Sequence, residues 1–361
     1  TTEIYTLSLH DALPILLVQG KASSILKIRY LVAGLLVSLA ACGASRVEPL
    51  VLDASLPISV APVSRCINIG SALEAPSEGE WGYTVRQADL QRIKDAGFDT
   101  IRLPVKWSAH TTTEAPYEID PALLARVDEI LSWAQMVDLN VVLNVHHYDE
   151  LNDDPEAHMP RLEAIWDLLA THYAGAPNSL VFETINEPHT NMTTELTDAL
   201  NKRLLERIRL DHSERWVILG TAFWGNLSAL EESRPDYDPK VMLTYHEYSP
   251  FEFTHQGAPW ADAPEIGVRW GNRLDVKRMM RQLAEAVEIE ERLRMPIFVG
   301  EFGVYQGVPI EHRARWTRTL REGLEARDLA WCYWDFTGSL KAYDTDREAW
   351  LPEIKAALLD E

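Results

Sequence analysis

Positive charge is the scarcest resource of this chain. Only 34 Lys and Arg stand against 55 Asp and Glu, a formal charge of −21 over 361 residues. That balance argues against nucleic acid or an anionic membrane surface as a partner, and fits a protein that handles a neutral substrate. Cysteine is nearly absent too, with three residues in all. Two of them, Cys66 and Cys332, lie far apart and make no disulfide framework. They are expected to be buried thiols acting as small hydrophobes, although a barrel with these strands first and last would make them neighbours. No glycine-rich phosphate turn follows the first strand signal, where Asn68-Ile69-Gly70-Ser71-Ala72 stands instead. Neither H-x-H nor H-E-x-x-H occurs anywhere. The adjacent pair His146-His147 does not replace them, because consecutive strand residues point to opposite faces. No metal and no other cofactor is expected. With 46% hydrophobic residues, disorder of the whole chain is excluded.

Methionine is missing before Met136, and the opening TTEIYTLSLHDALPI (1–15) resembles translated sequencing-adaptor sequence. This stretch is set aside from fold reasoning. Residues 16–42 then read as a signal peptide. Lys21, Lys27 and Arg29 precede an apolar run from Leu31 to Leu39 that is too short for a good membrane span. The following Leu39-Ala40-Ala41-Cys42 looks like a lipobox, in which Cys42 becomes a lipidated N-terminus after cleavage. Residues 43–62, with Pro49, Pro57 and Pro62, read as a tether. The expected location is outside the cytoplasm, as an outer-membrane or cell-surface lipoprotein, otherwise periplasmic or secreted. The expected membrane contact is a lipid anchor at Cys42 alone.

From residue 63 to 361 one domain is expected. Strand signals at Cys66–Gly70, Thr100–Leu103, Asn140–His146, Leu180–Asn186, Trp216–Gly220, Val241–His246, Pro296–Glu301 and Ala330–Trp334 alternate with amphipathic segments. Those segments are Val85–Ala96, Pro121–Val137, Arg161–Tyr173, Thr193–Leu210, Leu274–Arg292 and His312–Glu325, with a weak fifth helix at Leu227–Glu232. Eight such alternations predict a parallel sheet closed as a (β/α)8 TIM barrel, and about 250 residues suffice for one. A doubly wound open sheet is the alternative.

In such barrels chemistry sits at the C-terminal strand ends. Those ends carry Arg102-Leu103-Pro104, His146-His147-Tyr148, Asn186-Glu187, His246-Glu247-Tyr248, Glu301 and Trp334-Asp335. Two glutamates on separate strand ends are what cleavage of a glycosidic bond requires, one to protonate the leaving oxygen and the other to attack carbon or activate water. A single strand-end Glu would read as a surface residue; the pair in these contexts does not. Most of the 12 Trp are expected to be packing residues, Trp133, Trp166 and Trp316 on helices among them. Trp334 is placed to stack on a pyranose, and Trp107, Trp224 and Trp260 are further candidates in the loops.

The stretches NIGSALEAPSEGEWG, GFDTIRLPVKWS, VVLNVHHYDE, FETINEP, TYHEYSPFEFTHQGAPW, PIFVGEFGVY and WCYWDF resemble glycoside hydrolase family 5, and most closely its bacterial endo-β-1,4-glucanases, across residues 65–352. The resemblance implies Glu187 as acid/base and Glu301 as nucleophile, with Arg102, His146, Asn186, His246, Tyr248 and Trp334 as their companions. It implies a retaining endo-glucanase (cellulase) that cuts β-1,4-glucan; a monomer is expected. β-Mannanase, mixed-linkage glucanase and xyloglucanase are alternatives, as is a carbohydrate-binding lipoprotein without activity. Physical roles follow. A nucleophilic Glu301 needs a cation and a hydroxyl to keep it ionised, and Arg102 and Tyr248 can supply them. Glu187 must hold a proton, so its pKa is expected near 6–7. Asn186 can bond a sugar 2-hydroxyl.

Expressed with its own signal in a bacterium, the chain should incorporate labelled fatty acid and sediment with membranes. A Cys42→Ser variant that labels and sediments equally well would remove the lipobox reading.

Overall fold

A computed structural model of the chain describes residues 58 and 60–360. The adaptor-like stretch, the signal with Cys42 and most of the tether lie outside the described residues. Eight parallel strands close into one barrel in sequence order: β1 (Arg65–Asn68), β2 (Thr100–Val105), β3 (Asn140–Val145), β4 (Leu180–Glu183), β5 (Val217–Leu219), β6 (Val241–His246), β7 (Ile297–Glu301) and β8 (Ala330–Tyr333). The barrel closes where β8 pairs with β1, Cys66 opposite Cys332. This is the predicted TIM barrel, and each of its strands overlaps a sequence signal.

Besides short helices at Asp149–Asp153, Ala222–Gly225 and Phe251–Thr254 that no segment anticipated, two longer helices differ from expectation. The helix expected to open at Arg161 begins at Pro155 and runs to His172, its first turn capped by Asp154, which accepts from the Ala157 amide at 3.2 Å. Pro160 lies in its second turn and hides the start from a reading that treats proline as a breaker. A C-terminal helix, Pro352–Leu359, was not foreseen. It buries Ile354 and Leu358 against the main core, and Arg321 of the helix Ile310–Glu325 bonds its last carbonyls, Ala357 and Asp360. A cation there satisfies acceptors that a helix end leaves open.

One expectation is overturned. Cys66 and Cys332 are joined in a disulfide rather than left as thiols. The cause is topological: 266 residues separate them in sequence, but barrel closure makes them register partners with Cα atoms 4.1 Å apart. Sequence distance was a poor guide to spatial distance here.

Side chains two residues apart on a strand share a face, so the barrel interior is built in layers. The lower layer is apolar: Cys66, Val142, Val181, Ile218, Met242, Phe298 and Cys332 pack with Val63 and Trp216. Two residues farther along the same strands the layer turns polar, with Asn68, Asn144, Glu183, Thr244 and Gly300, joined by Arg102 from β2. Strand periodicity therefore lifts a set of buried polar groups directly beneath the open C-terminal mouth.

Candidate active site

Arg102 occupies the centre of that polar layer and is completely buried. A buried guanidinium must have all its donors engaged or it costs several kcal/mol. Its Nε and Nη2 bind both oxygens of Glu183 at 2.7 Å, in the parallel geometry that suits a planar fork. The remaining donors reach upward: Nη1 to Asn68 Oδ1 at 2.9 Å and Glu301 Oε1 at 2.8 Å, Nη2 to Asn186 Oδ1 at 2.6 Å. Because Arg102 takes the amide oxygen of Asn186, the amide NH2 is left to donate elsewhere.

Glu301, at the end of β7, is thus held by a cation on one oxygen. The Tyr248 hydroxyl donates to the other at 3.0 Å. Burial raises the Glu301 pKa above its ordinary value, while His246, Arg102 and the Tyr248 hydrogen bond all oppose the rise. Glu187 stands in a different environment. It lies four residues beyond β4 at φ 41°, a left-handed conformation uncommon for a residue with a side chain. Its Oε1 is 2.5 Å from His246 Nδ1, and no arginine touches it among the described residues. Burial pushes its carboxyl up to about 7, helped by the charge of Glu183 and resisted by Arg102. One oxygen of Glu187 and one of Glu301 lie within 4.8 Å of each other and of a His246 ring nitrogen. Two neighbouring carboxyls with unequal partners will divide the roles of acid and anion between them.

Burial also lowers the His246 pKa, and that of His146 further, so both rings are neutral near pH 7. His146 stacks on Trp334 with centroids 5.5 Å apart and an interplanar angle of 6°. His147 corrects an expectation. It was to point away from His146, yet both line the cleft, because β3 ends at Val145 and His147 turns at φ 51°. Its ring meets Trp81 edge-on, 6.0 Å between centroids. Neither histidine belongs to a group of possible metal ligands. Among the described residues that group is Glu187, His246 and Glu301, and the Arg102 cation beside Glu301 competes with an ion there.

The mouth opens into a cleft of about 1140 Å³ lined by Trp81, Phe223, Trp224, Phe251, Trp260 and Trp334 together with Glu187, Glu301, His146, His246 and Tyr248. Arg102 and Asn186 lie beneath them, so all eight residues singled out from the sequence meet at one place. Trp224 and Trp260 are more than half exposed in the cleft; Trp224 stacks on His189 at 4.7 Å. Trp107 is not there. It is fully buried and its indole nitrogen donates to the Asn144 carbonyl at 2.9 Å, a packing role. The sequence reading missed Glu183, Asn68 and Asn144 beneath the site, and Glu74, whose buried carboxyl lines the cleft. The signal for Glu183 was a carboxylate inside an otherwise apolar strand, Leu180-Val181-Phe182-Glu183.

The family model for cellulase (glycosyl hydrolase family 5) matches residues 67–339. Endoglucanase H of Acetivibrio thermocellus is 30% identical over 299 residues, which are 81% of this chain and 32% of that protein. Endoglucanase 3 of Fibrobacter succinogenes is 22% identical over 336 residues, 79% of this chain and 51% of the relative. The chain therefore spans about a third to a half of the length of these curated relatives. Among solved structures, Cel5A of Thermotoga maritima in complex with cellobiose is 40% identical with a TM-score of 0.81, covering 82% of this chain and 97% of that one. The same enzyme has been solved with mannotriose, at 39% identity and the same TM-score and coverage.

The unequal environments of the two carboxyls can be measured directly. In protein labelled with 13C at glutamate side chains, one carboxyl should titrate near pH 7, and that resonance should vanish in Glu187→Gln. Buried Glu247, pushed up to about 6, is told apart by surviving that substitution; if no resonance titrating near 7 is lost in Glu187→Gln, the electrostatic picture is wrong.

Proposed function

From a chain that belongs to the cellulase family, glycosyl hydrolase family 5, we propose a retaining endo-β-1,4-glucanase that hydrolyses internal bonds of cellulose-type glucans by double displacement. The observation that carries this reading is the asymmetric carboxyl pair. Glu301 is gripped by Arg102 and Tyr248, while Glu187 meets a neutral imidazole and has its pKa pushed up to about 7 by burial.

In the first half-reaction the Glu301 carboxylate attacks the anomeric carbon as the glycosidic C–O bond breaks. Glu187 gives its proton to the departing oxygen. The product is an ester between the sugar and Glu301. Glu187, now an anion, takes a proton from water as that water's oxygen attacks the same carbon. The ester bond breaks, Glu301 leaves as carboxylate, and Glu187 regains its proton. Arg102 stabilises the charge that returns to Glu301. With its amide oxygen taken by Arg102, Asn186 has its NH2 to donate to a sugar 2-hydroxyl, a bond that strengthens as positive charge develops on the ring. Stacking on Trp334 and on the exposed Trp224 and Trp260 suits the apolar faces of a neutral sugar chain.

The glucan assignment draws on the endoglucanase names of the relatives, and cellobiose occupies one similar enzyme. Mannotriose in that same enzyme favours a second substrate, β-1,4-mannan, at the same site. A non-catalytic sugar-binding protein would have no need to set two buried carboxyls side by side with such unequal partners.

Reducing-sugar release from carboxymethylcellulose, lichenan, glucomannan, galactomannan and xyloglucan tests the reading. We expect most activity on the first two or on glucomannan, and none in Glu301→Ala. Glu187→Ala should retain activity on aryl glycosides whose leaving groups need little protonation. Equal loss of such substrates in both variants would contradict the division of roles, and absence of release from all five polymers would contradict the function.

A further inference from the structure

Trp224 offers the cleft one face of its indole, and the other face is already taken. The indole lines the cleft and is more than half exposed. His189, which does not line the cleft, stacks behind it with ring centroids 4.7 Å apart and planes 3° from parallel. The backbone there needs support. Phe223, Trp224 and Gly225 have φ of 51°, 57° and 64°, one left-handed turn after β5. Residues with side chains adopt that conformation only where the surroundings hold them. The Trp224 amide donates to the Pro188 carbonyl at 3.2 Å, which ties this turn to the loop after β4 that carries Glu187.

His189 is itself anchored from the loop after β3. Asn152, buried in the short helix Asp149–Asp153, accepts at Oδ1 from the His189 backbone N–H at 3.0 Å. Its amide end is thereby turned to the ring, 3.1 Å from Nε2, and also reaches the Tyr148 carbonyl at 3.4 Å. An amide NH2 can only donate, so Nε2 accepts, and the proton of the neutral ring lies on Nδ1, 2.8 Å from the Thr190 hydroxyl. Two further bonds join the same loops. The Asn191 backbone amide donates to the Asn152 carbonyl at 3.1 Å, and its side chain to the Asp153 carbonyl at 2.7 Å. The ring behind Trp224 is therefore fixed in place and in rotation by a helix none of whose residues lines the cleft.

The loops also tell which part of a substrate Trp224 meets. An acid must lie beside the departing oxygen, and Trp224 is bonded to the residue that follows Glu187. Trp334, the indole stacked on His146, has its amide on the carbonyl of Phe302, the residue that follows Glu301. One indole thus belongs with the acid and the other with the nucleophile, which puts Trp224 on the side of the leaving sugar.

We propose that His189 is a positioning residue for the leaving sugar: held by Asn152, it backs the Trp224 indole so that the free face is set, before binding, to receive the ring that departs with the Glu187 proton. The inference rests on the reading of Glu187 as the acid. An aromatic already locked in its bound orientation loses no rotamer freedom when the sugar arrives, and that is where the gain in binding comes from. His189 touches neither sugar nor the carboxyl pair; it acts through the indole alone.

The test compares two substrates. Cellotetraose places sugar on both sides of the bond that is cut. β-Cellobiosyl fluoride has no sugar on the leaving side, and fluoride departs with little need of a proton. The energy of one aromatic stack sets the scale: in His189→Ala the ratio of kcat/KM on cellotetraose to that on the fluoride should fall about three- to tenfold. His189→Phe, which keeps a flat ring, should restore most of the ratio. In a Trp224→Ala background, His189→Ala should lower the ratio no further, because its effect passes through the indole. Three results would overturn the proposal: a wild-type ratio in His189→Ala, a phenylalanine variant no better than the alanine, or the same loss with and without Trp224. A measurement on the wild type requires no variant to fold. With 13C-labelled histidine and tryptophan rings, cross-relaxation NMR should find the His189 and Trp224 ring protons in contact in the free enzyme, and no contact would overturn the stack. If the wild type cleaves neither substrate, the functional reading fails and takes this one with it; cleavage with an unaltered ratio removes only the role of His189.

Discussion

One buried cation holds this site together. Arg102 has no contact with solvent, and its five N–H groups are spent on Glu183, Asn68, Glu301 and Asn186. Removing a guanidinium from water costs several kcal/mol, and only a complete set of charged and polar acceptors offsets it. The set here contains two carboxylates for one cation. Glu187 is buried beside this set and receives no bond from Arg102, so burial, with the charge of Glu183, keeps its proton on up to about pH 7. The difference between an acid and a nucleophile thus follows from which carboxyl the arginine reaches. Tyr248 strengthens the division by donating to Glu301 alone, and His246, neutral and placed between the pair, faces both without adding a charge.

The barrel makes this arrangement possible through strand periodicity. Apolar side chains fill the lower interior, where the disulfide between Cys66 and Cys332 ties the first strand to the last. Two residues on, the same strands supply Asn68, Asn144, Glu183 and Thr244, which form a polar floor. Beyond them the strands end and the chain is freed from the ladder. There Glu187 and His147 adopt left-handed backbone conformations that a regular strand would not allow. Glu187 therefore sits on a loop and Glu301 is the last residue of β7, while their supports sit within strands, which joins freedom of placement to rigidity of support.

Much of this was legible in the sequence because strand signals and strand-end residues are local. The eight strands, the pair Asn186-Glu187 and the separate Glu301 could be read from apolar runs that stop at polar groups. What escaped was whatever depends on closure of the barrel. Glu183 sits in an apolar strand, and the arginine that explains it is 81 positions away in sequence. The disulfide spans 266 positions. Trp107 looked like a loop aromatic open to sugar, but its indole is turned inward to a strand carbonyl. The rule that neighbouring strand residues point oppositely misplaced His147, since the strand had already ended. Short-range pattern locates elements and their ends; long-range pairing decides what those ends share.

The central claim is that the two carboxyls act as an acid and a nucleophile on opposite sides of one bond, close enough to exclude a water between carboxylate and sugar. Oxygens within 4.8 Å of each other fit the carboxyl separation of about 5–5.5 Å that goes with a covalent intermediate, rather than the 6.5–9.5 Å that seats a water. Proton NMR of a β-1,4-glucan digest, recorded before mutarotation, tests this most directly. The account predicts that the β-anomer of the new reducing end appears first. An initial α-anomer would mean that Glu301 activates water instead of attacking carbon, and the double displacement would be contradicted.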